Sequence, residues 1–196
     1  MSPILQSRAN ASAIGYGAFS VAAAAGDFES IATVTVGSGG AANIEFTSIP
    51  GTYTHLQVRG IGRSTQSPDA SVNVYLRLNS DTGSNYSTHY LTGNGSSASA
   101  GGAANSTFIY AGAVIAAGST ASAFEGSVID ILDYANTNKY KTTRTLVGWD
   151  ANGSGIIGLW SGNWRNTNAT TTITLLPSGG NWAQYSHFAL YGIKGA

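Results

Sequence analysis

The segment Ser71–Leu78 reads Ser-Val-Asn-Val-Tyr-Leu-Arg-Leu, a strict alternation of apolar and polar positions. Val72, Val74, Leu76 and Leu78 fall on one side, and Asn73, Tyr75 and Arg77 on the other. A period of two predicts a half-buried strand with one solvated face. The same pattern recurs at residues 30–36, 43–49, 55–63, 86–91, 107–111, 124–132, 140–149, 155–160, 170–176 and 187–193. That spacing, about ten or eleven short strands in all, belongs to an antiparallel sandwich. The run from Val128 to Leu132 is nearly continuous in apolar residues, which predicts a central strand. Turn chemistry separates the runs at Pro50-Gly51, Gly93-Asn94-Gly95, Asn152-Gly153 and Gly179-Gly180. No window keeps a helical stripe. The expected fold is therefore all-β, an antiparallel β-sandwich with jelly-roll-like connections.

Two segments depart from alternation. Residues 1–28 scatter Ile4, Leu5, Ile14, Tyr16, Phe19, Val21 and Phe28 at no fixed period, with Arg8 and Asp27 as their only charges. Such a segment cannot bury its own apolar groups. It is expected to form an extended arm ordered against another subunit, with residues 29–196 as the sandwich head. Residues 92–106 hold no charged or bulky apolar side chain, and this predicts a long exposed loop.

Composition narrows the function classes. The 196 residues carry nine basic and nine acidic side chains, a net charge of zero. At 9% charged residues, against a typical ~25%, the chain lacks the basic footprint of nucleic-acid binders and membrane-surface proteins. With no cysteine, it has no disulfides, thiol nucleophile or thiolate metal site. Neither an apolar span long enough for a membrane helix nor a secretory leader is expected.

Candidate chemistry is sparse. His55, His89 and His187 lie far apart, without metal-binding spacing, and are expected to make ordinary hydrogen bonds at strand ends. Asp130, Asp133 and Asp150 sit near strand ends, where Asx turns or cross-strand pairing of Asp130 with Arg144 or Lys141 explain them better than catalysis. The stretch Asn79 to Asn85 departs from a calcium loop and is expected to be a tight polar turn. We therefore expect a non-enzyme with no metal and no cofactor. The tryptophans offer more. Trp149 and Trp160 fall on alternating strands and are assigned to packing. Trp164 and Trp182 lie among Gly and Asn and are expected to be exposed, together with Asn94, as glycan or inter-subunit contacts.

Three stretches carry a family likeness: Ile49 to Arg63 (IPGTYTHLQVRGIGR), Tyr140 to Gly155 (YKTTRTLVGWDANGSG) and His187 to Ala196 (HFALYGIKGA). They resemble small virion structural proteins of tailed bacteriophages, including cyanophages. The opening Asn10 to Ser20 (NASAIGYGAFS) looks like the Gly/Ala/aromatic leaders of such proteins. The resemblance implies a capsid decoration (cement) protein, a homotrimer assembled in the host cytoplasm and resident in the virion. Its partner would be the major capsid protein or another virion protein, with neither nucleic acid nor membrane involved. Ile4, Leu5, Tyr16 and Phe19 are the expected arm anchors. The alternative it implies is a tail-associated fibre or adhesin gripping a host-surface glycan through loops holding Asn94 or Trp164.

Overall fold

A computed structural model describes residues 27–195. Its elements are all strands: β1 (Phe28–Thr35), β2 (Ile44–Phe46), β3 (His55–Gly62), β4 (Ser71–Leu78), β5 (Tyr86–Gly93) and β6 (Ala98–Ser106) come first. Next are β7 (Ile109–Ile115), β8 (Glu125–Leu132), β9 (Lys141–Asp150), β10 (Gly155–Trp164), β11 (Ile173–Pro177) and β12 (His187–Ile193). They form two antiparallel sheets, ordered β1-β12-β3-β8-β9-β10-β5-β6 and β2-β11-β4-β7. Four strands of the large sheet, β1-β12-β3-β8, together with the small sheet reproduce the two halves of a jelly roll. The other four strands are two inserted hairpins, β5–β6 and β9–β10, which extend one side of the roll.

Alternation decides what each strand buries. Val74, Leu76 and Leu78 of β4 face Leu56 and Val58 of β3, Ile129 and Ile131 of β8 and Leu190 of β12 in one core cluster. Val128 to Leu132 lies within β8, flanked on both sides, as its apolar run predicts. Strand β7 crosses the inner face of β9 and β10, where side chains of one sheet fit over glycines of the other. A Cβ on Gly162 would strike Ile109, and one on Gly112 would strike Val147.

Two expectations need correction. Residues 92–106 do not form a loop: β5 runs to Gly93, and β6 pairs with it from Ala98 to Ser106. Small side chains hide the strand from a hydrophobic-pattern reading, yet the backbone ladder needs none of them. Glycines 101 and 102 lie opposite Tyr90 and His89, whose side chains occupy the space that Cβ atoms would take.

Trp164 and Trp182 are not exposed; they are 1% and 0% accessible. β10 extends to residue 164, and the parity set by Gly158, Trp160 and Gly162 turns Trp164 inward against Tyr86 at 6.3 Å. Trp182 is held by bridges to Ala41 and Ser64. Its ring meets Phe188 edge-on at 4.7 Å, and its Nε1–H donates to the Leu175 carbonyl. Polar neighbours in sequence do not expose a ring whose own backbone belongs to the ladder.

At the start of the described chain, Phe28 opens β1. Its ring stacks on Tyr191 at 4.7 Å, with the Arg59 guanidinium 5.1 Å from its centroid. The expected arm anchors Ile4, Leu5, Tyr16 and Phe19 lie outside the described residues.

Candidate functional site

The outer face of the eight-stranded sheet is read row by row from its register. One row sets Leu91 of β5, Leu159 of β10, Leu146 of β9 and Val128 of β8 side by side. Leu91, Leu159 and Leu146 are 56%, 48% and 54% exposed. The next row holds Ile157, Gly148, Gly126 and Ile61, with the two isoleucines 64% and 54% exposed. Three strand spacings separate Ile157 from Ile61, about 14 Å. The two glycines between them leave that gap bare. It forms a furrow of ≈ 430 Å³ walled by Ile157, Leu146 and Val128.

Neither glycine is needed by the fold of one copy. A Cβ at Gly126 would meet nothing within 4 Å, one at Gly148 only the Ile156 carbonyl oxygen at 3.7 Å, and neither has a positive φ. Glycine weakens a strand interior, and where nothing local requires it, it marks a place another chain or ligand approaches closely. The stripe thus offers knobs, chiefly Ile157, beside a hole of its own.

A polar row borders the stripe. Gln57, Asp130, Arg144 and Ser161 are in register across β3, β8, β9 and β10. Gln57 Nε2 donates to Asp130 Oδ1 at 2.8 Å, and the Arg144 guanidinium donates to Oδ2 at 2.9 Å. Asp130 therefore pairs with Arg144, one of its two expected partners. Lys141 points inward, donating to the carbonyls of Asn136, Lys139 and Thr167. An apolar centre with a hydrogen-bonded polar margin is the anatomy of a protein interface.

The stripe escaped the sequence reading, although a signal was present. Tyr90-Leu91, Leu146-Val147, Ile156-Ile157 and Leu159-Trp160 are adjacent apolar pairs in strands that otherwise alternate. Such pairs place bulk on both faces of a strand, as in sheets covered on both sides. All four fall on the inserted hairpins.

The other candidate residues serve the fold. Asn94 Oδ1 accepts from the backbone N–H groups of Ser96 and Ser97, closing the β5–β6 turn. With their rings buried, Trp164 and Trp182 offer no stacking face. His55 Nδ1 accepts the Asp133 N–H, and His187 bonds Thr35, both at strand starts; His89 sits within β5. Among the described residues, no three histidine or carboxylate side chains converge on a point. Burial pushes the Glu125 carboxyl up to about 8, and its Oε2 has no hydrogen-bond partner among the described residues. It faces the core beside Gly62, away from the stripe.

Searches against family models, curated proteins and solved structures find no match to this chain.

Proposed function

We propose that this chain is a virion structural protein, a decoration protein of a phage head whose copies pack through the outer face of the eight-stranded sheet. The Gly126–Gly148 furrow beside Ile157 carries the packing, and the likeness of Ile49–Arg63, Tyr140–Gly155 and His187–Ala196 to phage virion proteins supports the virion assignment. A second copy of the same face supplies the isoleucine that fits the furrow, and zero net charge leaves no long-range repulsion between copies. Burying such a stripe removes apolar surface from water at roughly 25 cal/mol per Å². Like faces pack about a two-fold axis, so this face builds a pair, and the trimer that the resemblance implies would need a second contact; the N-terminal arm reaches the major capsid protein through Ile4, Leu5, Tyr16 and Phe19.

The test is rebinding to phage heads stripped of their decoration. The full chain is expected to saturate the heads at fixed stoichiometry. A variant lacking residues 1–26, which leaves β1 whole, should keep its far-ultraviolet circular dichroism and fail to rebind. Equal binding by both, or labelling of tails alone, would refute the shell role.

A further inference from the structure

The β5–β6 hairpin reaches past β7, the edge strand of the small sheet, and leaves part of its inner face uncovered. Between that overhang and β7 lies a cleft of ≈ 440 Å³, within the range of small-ligand sites. It is lined by Tyr90, Trp160 and Tyr110, by the Thr92 and Ser99 hydroxyls and by the Asn73 carboxamide, and by no charged side chain.

Glycines shape its aromatic wall. The Tyr90 ring lies over Gly101, whose added Cβ would come 2.7 Å from the ring's Cζ. The Trp160 ring lies over Gly158, where a Cβ would come within 2.5 Å. Both rings are thereby laid down along the sheet, their centroids 6.4 Å apart and their planes tilted by 30°. Tyr90 is 36% exposed and Trp160 forms the back wall at 5%. Tyr110 is fixed at the cleft mouth by edge-on contacts to Phe108 at 5.0 Å and Tyr75 at 5.5 Å.

From this arrangement we infer that the cleft is a binding site for a neutral carbohydrate. A pyranose presents an apolar C–H face suited to an aromatic plane and a rim of hydroxyls suited to amide and hydroxyl partners. Both halves of that match are present, and the uncharged lining offers nothing to a phosphate or carboxylate. The inference is independent of the packing face, because these side chains point to the opposite side of the sheet from Leu91 and Leu159.

Saturation-transfer NMR on the full chain tests it, with maltohexaose, cellohexaose and mannohexaose as neutral probes and a hexauronide as the charged control. Irradiating aromatic protons should transfer signal to the C–H protons of at least one neutral probe. Tyr90→Phe should keep that binding. Tyr90→Ala should weaken it by about five- to tenfold. Gly101→Ala, which lifts the Tyr90 ring without removing it, should weaken it as well and covers the case of a misfolded Tyr90→Ala. No transfer to any neutral probe, transfer to the hexauronide alone, or unchanged affinity in the folded variants would overturn the assignment.

Discussion

The indole N–H of Trp164 donates to Asp81 Oδ2 across 2.7 Å, tying the end of β10 to the turn that follows β4. The same carboxylate accepts from the Gly83 backbone and the Asn85 side chain. Partial burial alone would raise its pKa. The hydrogen bonds from Trp164, Asn85 and Gly83 outweigh that and leave it below the usual carboxylate value. Asp81→Ala removes the acceptor from a buried indole, and an expected loss of about 1–3 kcal/mol follows. Because the folded pKa is the lower one, the carboxylate's stabilisation is present above its unfolded pKa and disappears as pH falls through the folded value. Urea denaturation at neutral pH and near pH 3 checks both statements; equal mutant losses at the two pH values would contradict the second.

Glu125 has the opposite sign. Folded, it holds its proton up to about pH 8, whereas in the unfolded chain it ionises near an ordinary carboxylate pKa of about 4.3. Between those values the unfolded chain binds fewer protons, so rising pH destabilises the fold by up to roughly 1.4 kcal/mol per unit. Glu125→Gln should flatten this slope, so that its stability relative to the parent improves between pH 5 and pH 8. Thermal denaturation across that window reads the difference; parallel curves would show that Glu125 does not carry the effect.

Lys141 is fully buried, and its ammonium donates to three carbonyls that join the β8–β9 connection to the segment after β10. Lys141→Met keeps much of the stem and leaves those carbonyls without their donor. An expected loss of about 3 kcal/mol would appear in equilibrium unfolding. A loss below about 0.5 kcal/mol, the usual scatter at surface sites, would mean that water replaces the ammonium freely.

Gly126→Leu separates fold from assembly. Its Cβ enters open space, and an ordinary strand residue replaces glycine, so the melting temperature of the single copy should not fall. The leucine fills the furrow that the neighbour's Ile157 requires. Self-association should weaken despite the added apolar surface. Stronger association would identify the stripe as generally adhesive rather than shaped for a partner.

The jelly roll was legible because strands such as β2, β3, β4 and β8 bury one face and leave the other more exposed. Val74, Leu76 and Leu78 announce their sheet without help from the rest of the chain. Three of the four hairpin strands, β5, β9 and β10, were legible as well; what escaped were β6 and the apolar outer face of the hairpins, for two different reasons. β6 contains only Ala, Ser, Gly and Asn, so its pairing rests on backbone hydrogen bonds that leave no mark in a hydrophobic pattern. β9 and β10 carry apolar residues on both faces, and alternation cannot say which face another molecule covers. Trp164 was misplaced for a related reason. The Asn-rich stretch after it resembles a turn, but burial is set by strand parity and by the hydrogen bond that Asp81 accepts from across the sheet. The aromatic cleft depends on Gly101 and Gly158 lying beneath rings from positions remote in the chain or two residues away, a relation that exists only once the register is known.

Sedimentation equilibrium of the full chain beside its Ile157→Asp variant tests the packing face most directly. The parent is expected to sediment at a multiple of 20.0 kDa and the variant at the mass of one chain, with matching circular dichroism. A monomeric parent at micromolar concentration, or a variant that assembles as the parent does, would contradict the proposal that this face is covered by a second copy.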